Sequence, residues 1–89
     1  MLHQLKTDSA VFQAVHTGHK TFEIRKDDRG FKEWDKLLLQ ETEFTGAEMA
    51  EGMPLRYTGN EKTVQVSHIL RGPIYGLKDG WVIMSFCRK

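Results

Sequence analysis

Residues 18–29, GHKTFEIRKDDR, hold the end of a helix, a strand and a turn within one short stretch. Gly18 suits the left-handed conformation that ends many helices. The run 20–26 contains aromatic and β-branched residues, which indicates a strand. Residues 27–30 supply turn chemistry, because Asp can bond its own backbone and Gly tolerates positive φ. The stretch therefore predicts a helix that turns directly into a strand.

The predicted strand has two unlike faces. Alternation puts Phe22 and Ile24 on one face, and Thr21, Glu23 and Arg25 on the other. The ordinary explanation for a charged face is exposure to water, where ion pairs are weak. The alternative is that the charged side chains line a cleft.

Length and composition indicate one small domain over residues 1–89. The chain is 39% apolar and 28% charged, and no apolar run is long enough for a membrane span. Cys87 is the only cysteine, so an intramolecular disulfide is excluded. We find no secretion signal and expect a cytoplasmic protein.

The net charge of +1 is unevenly distributed. Acids outnumber bases from Glu41 to Glu61, and bases outnumber acids from Lys62 to Lys89. The chain nevertheless lacks the excess of lysine and arginine found in proteins that bind long nucleic-acid duplexes through their phosphates. Any contact with nucleic acid should be small and local.

One helix is predicted ahead of the opening stretch, at residues 8–17. Thr7 or Asp8 can cap its amino end, and Val11, Phe12 and Val15 fall on one face. Five short strands are predicted: Lys20–Lys26, Leu37–Leu39, Leu55–Thr58, Thr63–Leu70 and Trp81–Phe86.

The run Leu37–Leu39 breaks the two-residue period, so it is covered on both faces or lies where a barrel curls tightly. The glycine-rich segment 41–59 has room for a helical turn at Ala47–Glu51. The absence of βαβ alternation favours a small mixed α+β domain or a compact, partly open barrel. The terminal pair Arg88-Lys89 is expected to be frayed.

His68 falls in the apolar register of its strand, with Val64, Val66 and Leu70. Alternation therefore predicts an inward-facing histidine, which would need a hydrogen-bond partner. A role as a ligand is the alternative.

The pattern Gly-x-Lys-x-x-Glu-x-Arg is formed by Gly18, Lys20, Glu23 and Arg25. It resembles the signature of ASCH domains of the PUA-like superfamily. More narrowly, most of the chain resembles a small bacterial and phage family known as DUF3850. The segments that carry this resemblance are His3–Lys6, Lys20–Arg29, His68–Gly72 and Tyr75–Val82.

The resemblance implies a PUA-like (ASCH) small β-barrel of five to six mostly antiparallel strands, with one N-terminal helix packed against it. It also implies a cleft beside the Gly-x-Lys motif. Relatives usually have a glycine where Trp34 precedes Asp35, so a tight bend expected there must be built differently.

The resemblance also suggests two kinds of function. ASCH domains are proposed to bind RNA, and some members of the superfamily are ribonucleases or small amidohydrolases acting on an acylated cytidine. Those amidohydrolases resemble this chain at its lysine and arginine, but they carry a threonine where Glu23 stands.

Binding of RNA or of a nucleotide is the first hypothesis for Lys20, Glu23 and Arg25. In a cleft, the two cations can hold phosphate or carbonyl oxygens while the carboxylate accepts from an exocyclic amine. Trp81, Tyr75 or Trp34 can then stack on an unpaired base. The expected ligand is single-stranded RNA, a nucleotide or a modified nucleoside, with no cofactor and no membrane partner.

Catalysis is the second hypothesis for the same three residues, with a modified nucleoside or RNA as the substrate. Lys20 would act as base or nucleophile, Glu23 would carry a proton and Arg25 would stabilise an oxyanion. A purely structural ion-pair network is the third. No metal site is expected, because His16 and His19 lack a third ligand at a recognisable spacing.

Overall fold

A computed structural model describes residues 1–87. These residues form five strands and two short helices. In order, they are β1 (Leu2–Asp8), α1 (Ser9–His16), β2 (Phe22–Lys26), β3 (Lys36–Thr42), α2 (Gly46–Ala50), β4 (Tyr57–Arg71) and β5 (Trp81–Cys87). Neither helix is long and apolar enough to cross a membrane. The predicted fraying of Arg88 and Lys89 lies outside the described residues.

The five strands form one curled sheet, a half-barrel, in the order β1-β3-β4-β5-β2. β1 pairs with β3 in parallel, and the other three pairings are antiparallel. The prediction of a small α+β fold with mostly antiparallel strands is confirmed. The helical turn expected at Ala47–Glu51 is confirmed as α2, so the fold has a second short helix besides the expected N-terminal one.

The core lies between the sheet and α1. Phe12 and Val15 are buried on the helix, and Leu37 and Leu39 are fully buried on β3. The leucine run therefore marks the core, as the broken period indicated. The other buried hydrophobic residues are Leu5, Phe31, Val64, Val66, Ile69, Val82 and Met84.

Two strands differ from the sequence-based expectation. β1 was not predicted, although its alternating burial of His3, Leu5 and Thr7 is typical of a strand. The predicted strand at 55–58 is not separate, because Tyr57 and Thr58 begin a β4 that continues to Arg71. A strand as long as β4 can pair with both β3 and β5.

Helix α1 begins after Asp8 and ends where expected. Asp8 occupies the capping position, but its side chain makes no capping bond and accepts instead from the Gly46 amide at 2.9 Å. Gly18 adopts φ +84°, which confirms the left-handed residue that ends the helix.

The charged face of β2 is buried and its apolar face is exposed, which is the reverse of the expectation that the charged face would be exposed to water. Glu23 is 6% exposed, whereas Phe22 and Ile24 are 43% and 44% exposed. Glu23 and Arg25 pair with Met84 and Val82, which belong to the core. The concave side of the half-barrel therefore encloses the charged face of this strand.

His68 does not face inward, so that prediction is wrong. The pairing of β4 with β5 shifts by one residue between Val66 and His68, and Ile69 takes the buried position. A β-bulge of this kind reverses the alternation that follows it. The His68 side chain is 71% exposed and its Nδ1 lies 3.1 Å from Glu33.

The turns after β2 follow the expected chemistry. Asp27 Oδ1 accepts from the backbone amides of Arg29, Gly30 and Phe31. Trp34 stands before Asp35 with φ +72°, in the left-handed region. The tight bend expected before Asp35 is thus built with a tryptophan.

Candidate functional site

The Gly-x-Lys-x-x-Glu-x-Arg motif runs from the end of α1 into β2. Gly18 reverses the chain after the helix, and the Lys20 amide donates to the Ala14 carbonyl at 2.9 Å. The two-residue period of β2 then turns Glu23 and Arg25 to the same, inner side. Helix exit and strand alternation together bring the three charged side chains close to one another.

Glu23 is the centre of this cluster. Its Oε1 atom lies 3.6 Å from Lys20 Nζ, and its Oε2 atom lies 3.8 Å from Arg25 Nε. Oε1 also accepts from the Ile24 amide at 3.1 Å. A buried carboxylate needs such partners, because losing water is costly for a charge. Within residues 1–87, no donor lies within hydrogen-bonding distance of Oε2.

Arg25 joins the two open edges of the sheet. β1 and β2 are the outermost strands, and we call the gap between them the seam. Arg25 Nη2 crosses the seam and donates to the Lys6 carbonyl at 2.6 Å, and Arg29 Nη1 donates to the Gln4 carbonyl. The two arginines thus donate hydrogen bonds to backbone carbonyl groups of β1 that receive none from a neighbouring strand.

A cavity of about 350 Å³ opens at the seam, and we call it the seam cavity. Glu23 and Arg25 line it, and Trp81 contributes an aromatic side chain that is 36% exposed. The remaining lining residues are Lys6, Thr7, Asp8, Val11, Ile24, Lys26 and Asp28. Acidic and basic side chains are equal in number, so the cavity carries no large net charge.

The family assignment follows from the extent of the match. The family described as "Domain of unknown function (DUF3850)" matches residues 2–86, which include the whole motif and all but one residue of the sheet. The chain belongs to the DUF3850 family. A search of the curated proteins finds no match.

The other predicted site residues lie in different parts of this DUF3850 domain. Lys20 lines a second cavity, described below. Tyr75 lies in the loop between β4 and β5, is 93% exposed and lines neither cavity. The structure therefore groups Trp81 with Glu23 and Arg25 and leaves Tyr75 apart.

Sequence reasoning missed a buried carboxylate at Glu41. Its two oxygens accept four hydrogen bonds, from Ser9 and Gln13 on one side and from Thr58 and Asn60 on the other, at 2.7–3.1 Å. These bonds lower the pKa of Glu41 to about 2. No local pattern could reveal the cluster, because its members come from three distant segments.

A second buried acid in this DUF3850 domain was also missed. Asp35 accepts from His3 Nε2 and from the Lys32 amide, both at 2.9 Å. Burial acts to raise the pKa of Asp35, but these hydrogen bonds and the amino-terminal charge hold it below its usual value. The His3 ring also packs edge-on against Phe31. The pair fixes the loop before β3 onto β1.

No group of three or more metal-ligating side chains occurs within residues 1–87. His19 instead shares a hydrogen bond with Thr17 at 3.1 Å. The charged side chains and Trp81 that line the seam cavity can take part in hydrogen bonding, ion pairing and stacking.

Proposed function

We propose that this protein is an ASCH-type, PUA-like module that binds a nucleotide or an unpaired RNA base in the seam cavity. The observation that carries the proposal is the Glu23 carboxylate, which is buried, lines the cavity and has one oxygen without a hydrogen-bond donor. Among residues 1–87, the only fully buried side-chain nitrogen or oxygen without a hydrogen-bond partner is Arg25 Nε, which lies 3.8 Å from Glu23 Oε2. Both residues line the cavity, so a ligand that brings a donor to Oε2 and an acceptor to Nε would supply the missing bonds.

The size and lining of the seam cavity suit a planar heterocycle. Its volume of about 350 Å³ lies at the lower end of the range for small-molecule sites. Trp81 supplies a surface for stacking, which is typically worth about 1–3 kcal/mol per base. The balance of acidic and basic side chains favours a neutral base over a polyanion in this cavity.

The chemistry of Glu23 also selects among bases. A carboxylate accepts hydrogen bonds, so it prefers an edge with an amino group, as in cytosine, adenine or guanine. Uracil has no amino group and would leave Oε2 less well paired. We therefore propose that amino-bearing bases bind more tightly than uracil. Arg25 holds the carboxylate in place from the seam side, and Lys20 does so from the other.

The test is titration of the protein at low salt with the four nucleosides, their monophosphates and short single-stranded RNA. Glu23→Gln keeps the side chain's shape but replaces an acceptor oxygen with a donor group. It should weaken binding of an amino-bearing base by about tenfold or more. Glu51→Gln is the matched control, because that exposed carboxylate lines neither cavity.

A second pair of variants tests the aromatic wall. Trp81→Leu should weaken binding of the base, whereas Tyr75→Leu should leave it unchanged, since only Trp81 lines the seam cavity. The proposal is wrong if no nucleoside, nucleotide or oligonucleotide binds. It is also wrong if Glu23→Gln and Glu51→Gln bind alike.

Hydrolysis of a modified nucleoside or of RNA, with Lys20 and Glu23 as the reacting groups, stays the alternative. The close approach of Lys20 Nζ to Glu23 Oε1 is the feature it would use. It predicts turnover of an acylated cytidine or of RNA that Lys20→Ala abolishes. Intact substrate after prolonged incubation would leave binding as the function. We propose a cytoplasmic location for either activity, because the chain has a single cysteine.

A further inference from the structure

A second cavity, of about 360 Å³, lies beside the carboxyl end of α1. We call it the lysine cavity, because Lys20, Lys36 and Lys62 all line it. Its other lining residues are Val15, His16, Gly18, Thr21, Thr63, Val64, Gln65, Phe86 and Cys87. No acidic residue is among them, which distinguishes this cavity from the balanced seam cavity.

The three lysines come from separate parts of the fold. Lys20 follows α1, Lys36 is the first residue of β3 and Lys62 lies within β4. They are distant in sequence, and only the tertiary structure brings them to one cavity. The positive charge of the cavity is therefore not the result of a local run of basic residues. Like charges that share a cavity repel one another, and a bound anion relieves that repulsion.

Two of these ammonium groups are free of ion pairs. Among residues 1–87, neither Lys36 nor Lys62 has a carboxylate within 4.0 Å, whereas Lys20 has Glu23 at 3.6 Å. Lys62 is also half-buried, so its charge is partly removed from water. The lysine cavity therefore has an excess of positive charge that no carboxylate within residues 1–87 neutralises.

The rest of the lining suits a small oxyanion. The hydroxyl groups of Thr21 and Thr63 can donate to its oxygens. Val64 and Phe86 provide apolar surface that keeps water away on one side and so strengthens the attraction between charges. Lysine side chains are flexible point charges, which fit phosphate without demanding one fixed geometry.

We propose that the lysine cavity binds phosphate groups, either as a free inorganic anion or as the phosphates of a nucleotide. The inference goes beyond base recognition at the seam and does not depend on it. Phosphate is favoured over a carboxylate because a dianion or higher anion gains more from several lysines that line one cavity.

The experiment is calorimetric titration with inorganic pyrophosphate at low ionic strength. The wild-type protein should bind it, and the affinity should fall steeply with added salt. The double variant Lys36→Gln/Lys62→Gln should weaken binding by about tenfold or more. The control is Lys32→Gln/Lys78→Gln, which removes the same charge from two exposed lysines that line neither cavity.

The outcomes separate this proposal from base binding. Trp81→Leu should not change pyrophosphate affinity, and Lys36→Gln/Lys62→Gln should not change the affinity for a nucleoside without phosphate. A nucleoside diphosphate tests the second source of phosphate and should also lose affinity in the cavity double variant. The proposal is overturned if pyrophosphate does not bind, or if both double variants weaken it equally, because binding would then reflect overall charge.

Discussion

Arg25 Nη2 donates a hydrogen bond to the backbone carbonyl of Lys6, with 2.6 Å between nitrogen and oxygen. The bond joins the two outermost strands of the sheet, β1 and β2, which are not neighbours in the strand order. Arg25 also lies beside Glu23. One residue of the motif therefore helps to hold the half-barrel in shape and to position the buried carboxylate.

Arg25→Met should lower the free energy of unfolding by about 1–2 kcal/mol, because methionine keeps the apolar stem but cannot bond to the Lys6 carbonyl. Urea denaturation followed by tryptophan fluorescence measures the change. Arg56→Met is the matched control, since Arg56 only approaches the exposed Glu43 at 3.9 Å. Equal losses in the two variants would show that the bond across the seam is not a significant source of stability.

Glu41→Gln should destabilise the protein by on the order of 2 kcal/mol, since four donors converge on the two oxygens and an amide can accept on only one. The midpoint of urea denaturation measures the effect. Glu61→Gln serves as the control, because its exposed carboxylate accepts one bond, from Gln40 at 3.0 Å. A loss no larger than that of the control would contradict the structural role of Glu41.

Stability should fall in acid, and Glu41 should account for part of the fall. The pKa of Glu41 is about 2 in the folded protein against a usual 4.5, so the unfolded chain takes up the proton first. The stabilisation is complete above about pH 4.5 and is lost as the pH falls toward 2. Urea midpoints between pH 7 and pH 3 should drop less steeply for Glu41→Gln than for the wild type. Parallel profiles would contradict this assignment.

Trp34→Gly should leave stability unchanged or raise it by up to about 1 kcal/mol, because glycine adopts φ +72° without steric cost. Trp34→Val should instead lower stability by about 1 kcal/mol or more, since a β-branched side chain is poorly suited to that region. Thermal unfolding by circular dichroism compares the two. The prediction is contradicted if Trp34→Gly lowers stability as much as Trp34→Val does.

The bulge in β4 predicts losses of very different size at two adjacent positions. Ile69→Ala should cost about 2–4 kcal/mol, because Ile69 is 9% exposed and belongs to the core. His68→Ala should cost less than about 0.5 kcal/mol, as expected for an exposed residue paired only with Glu33. Chemical denaturation distinguishes these values. A larger loss at His68 would mean that the uninterrupted alternation is correct.

The sequence by itself determined the features that depend on a few neighbouring residues. The helix ends at Gly18, the strand follows as β2, and Asp27 builds the turn, because dihedral preferences and local hydrogen bonds decide each of them. The motif and the family also follow from the order of residues alone. These features made the small α+β fold predictable.

Tertiary structure alone decided which side of each strand faces the core. The curl of the sheet encloses Glu23 and exposes Phe22, and a single bulge turns His68 outward, although the residue pattern indicated otherwise in both strands. The Glu41 cluster and the lysine cavity likewise join residues that are distant in sequence. The local residue pattern of a strand shows only that its two faces differ. Which of the two faces becomes buried depends on the strands that pack around it.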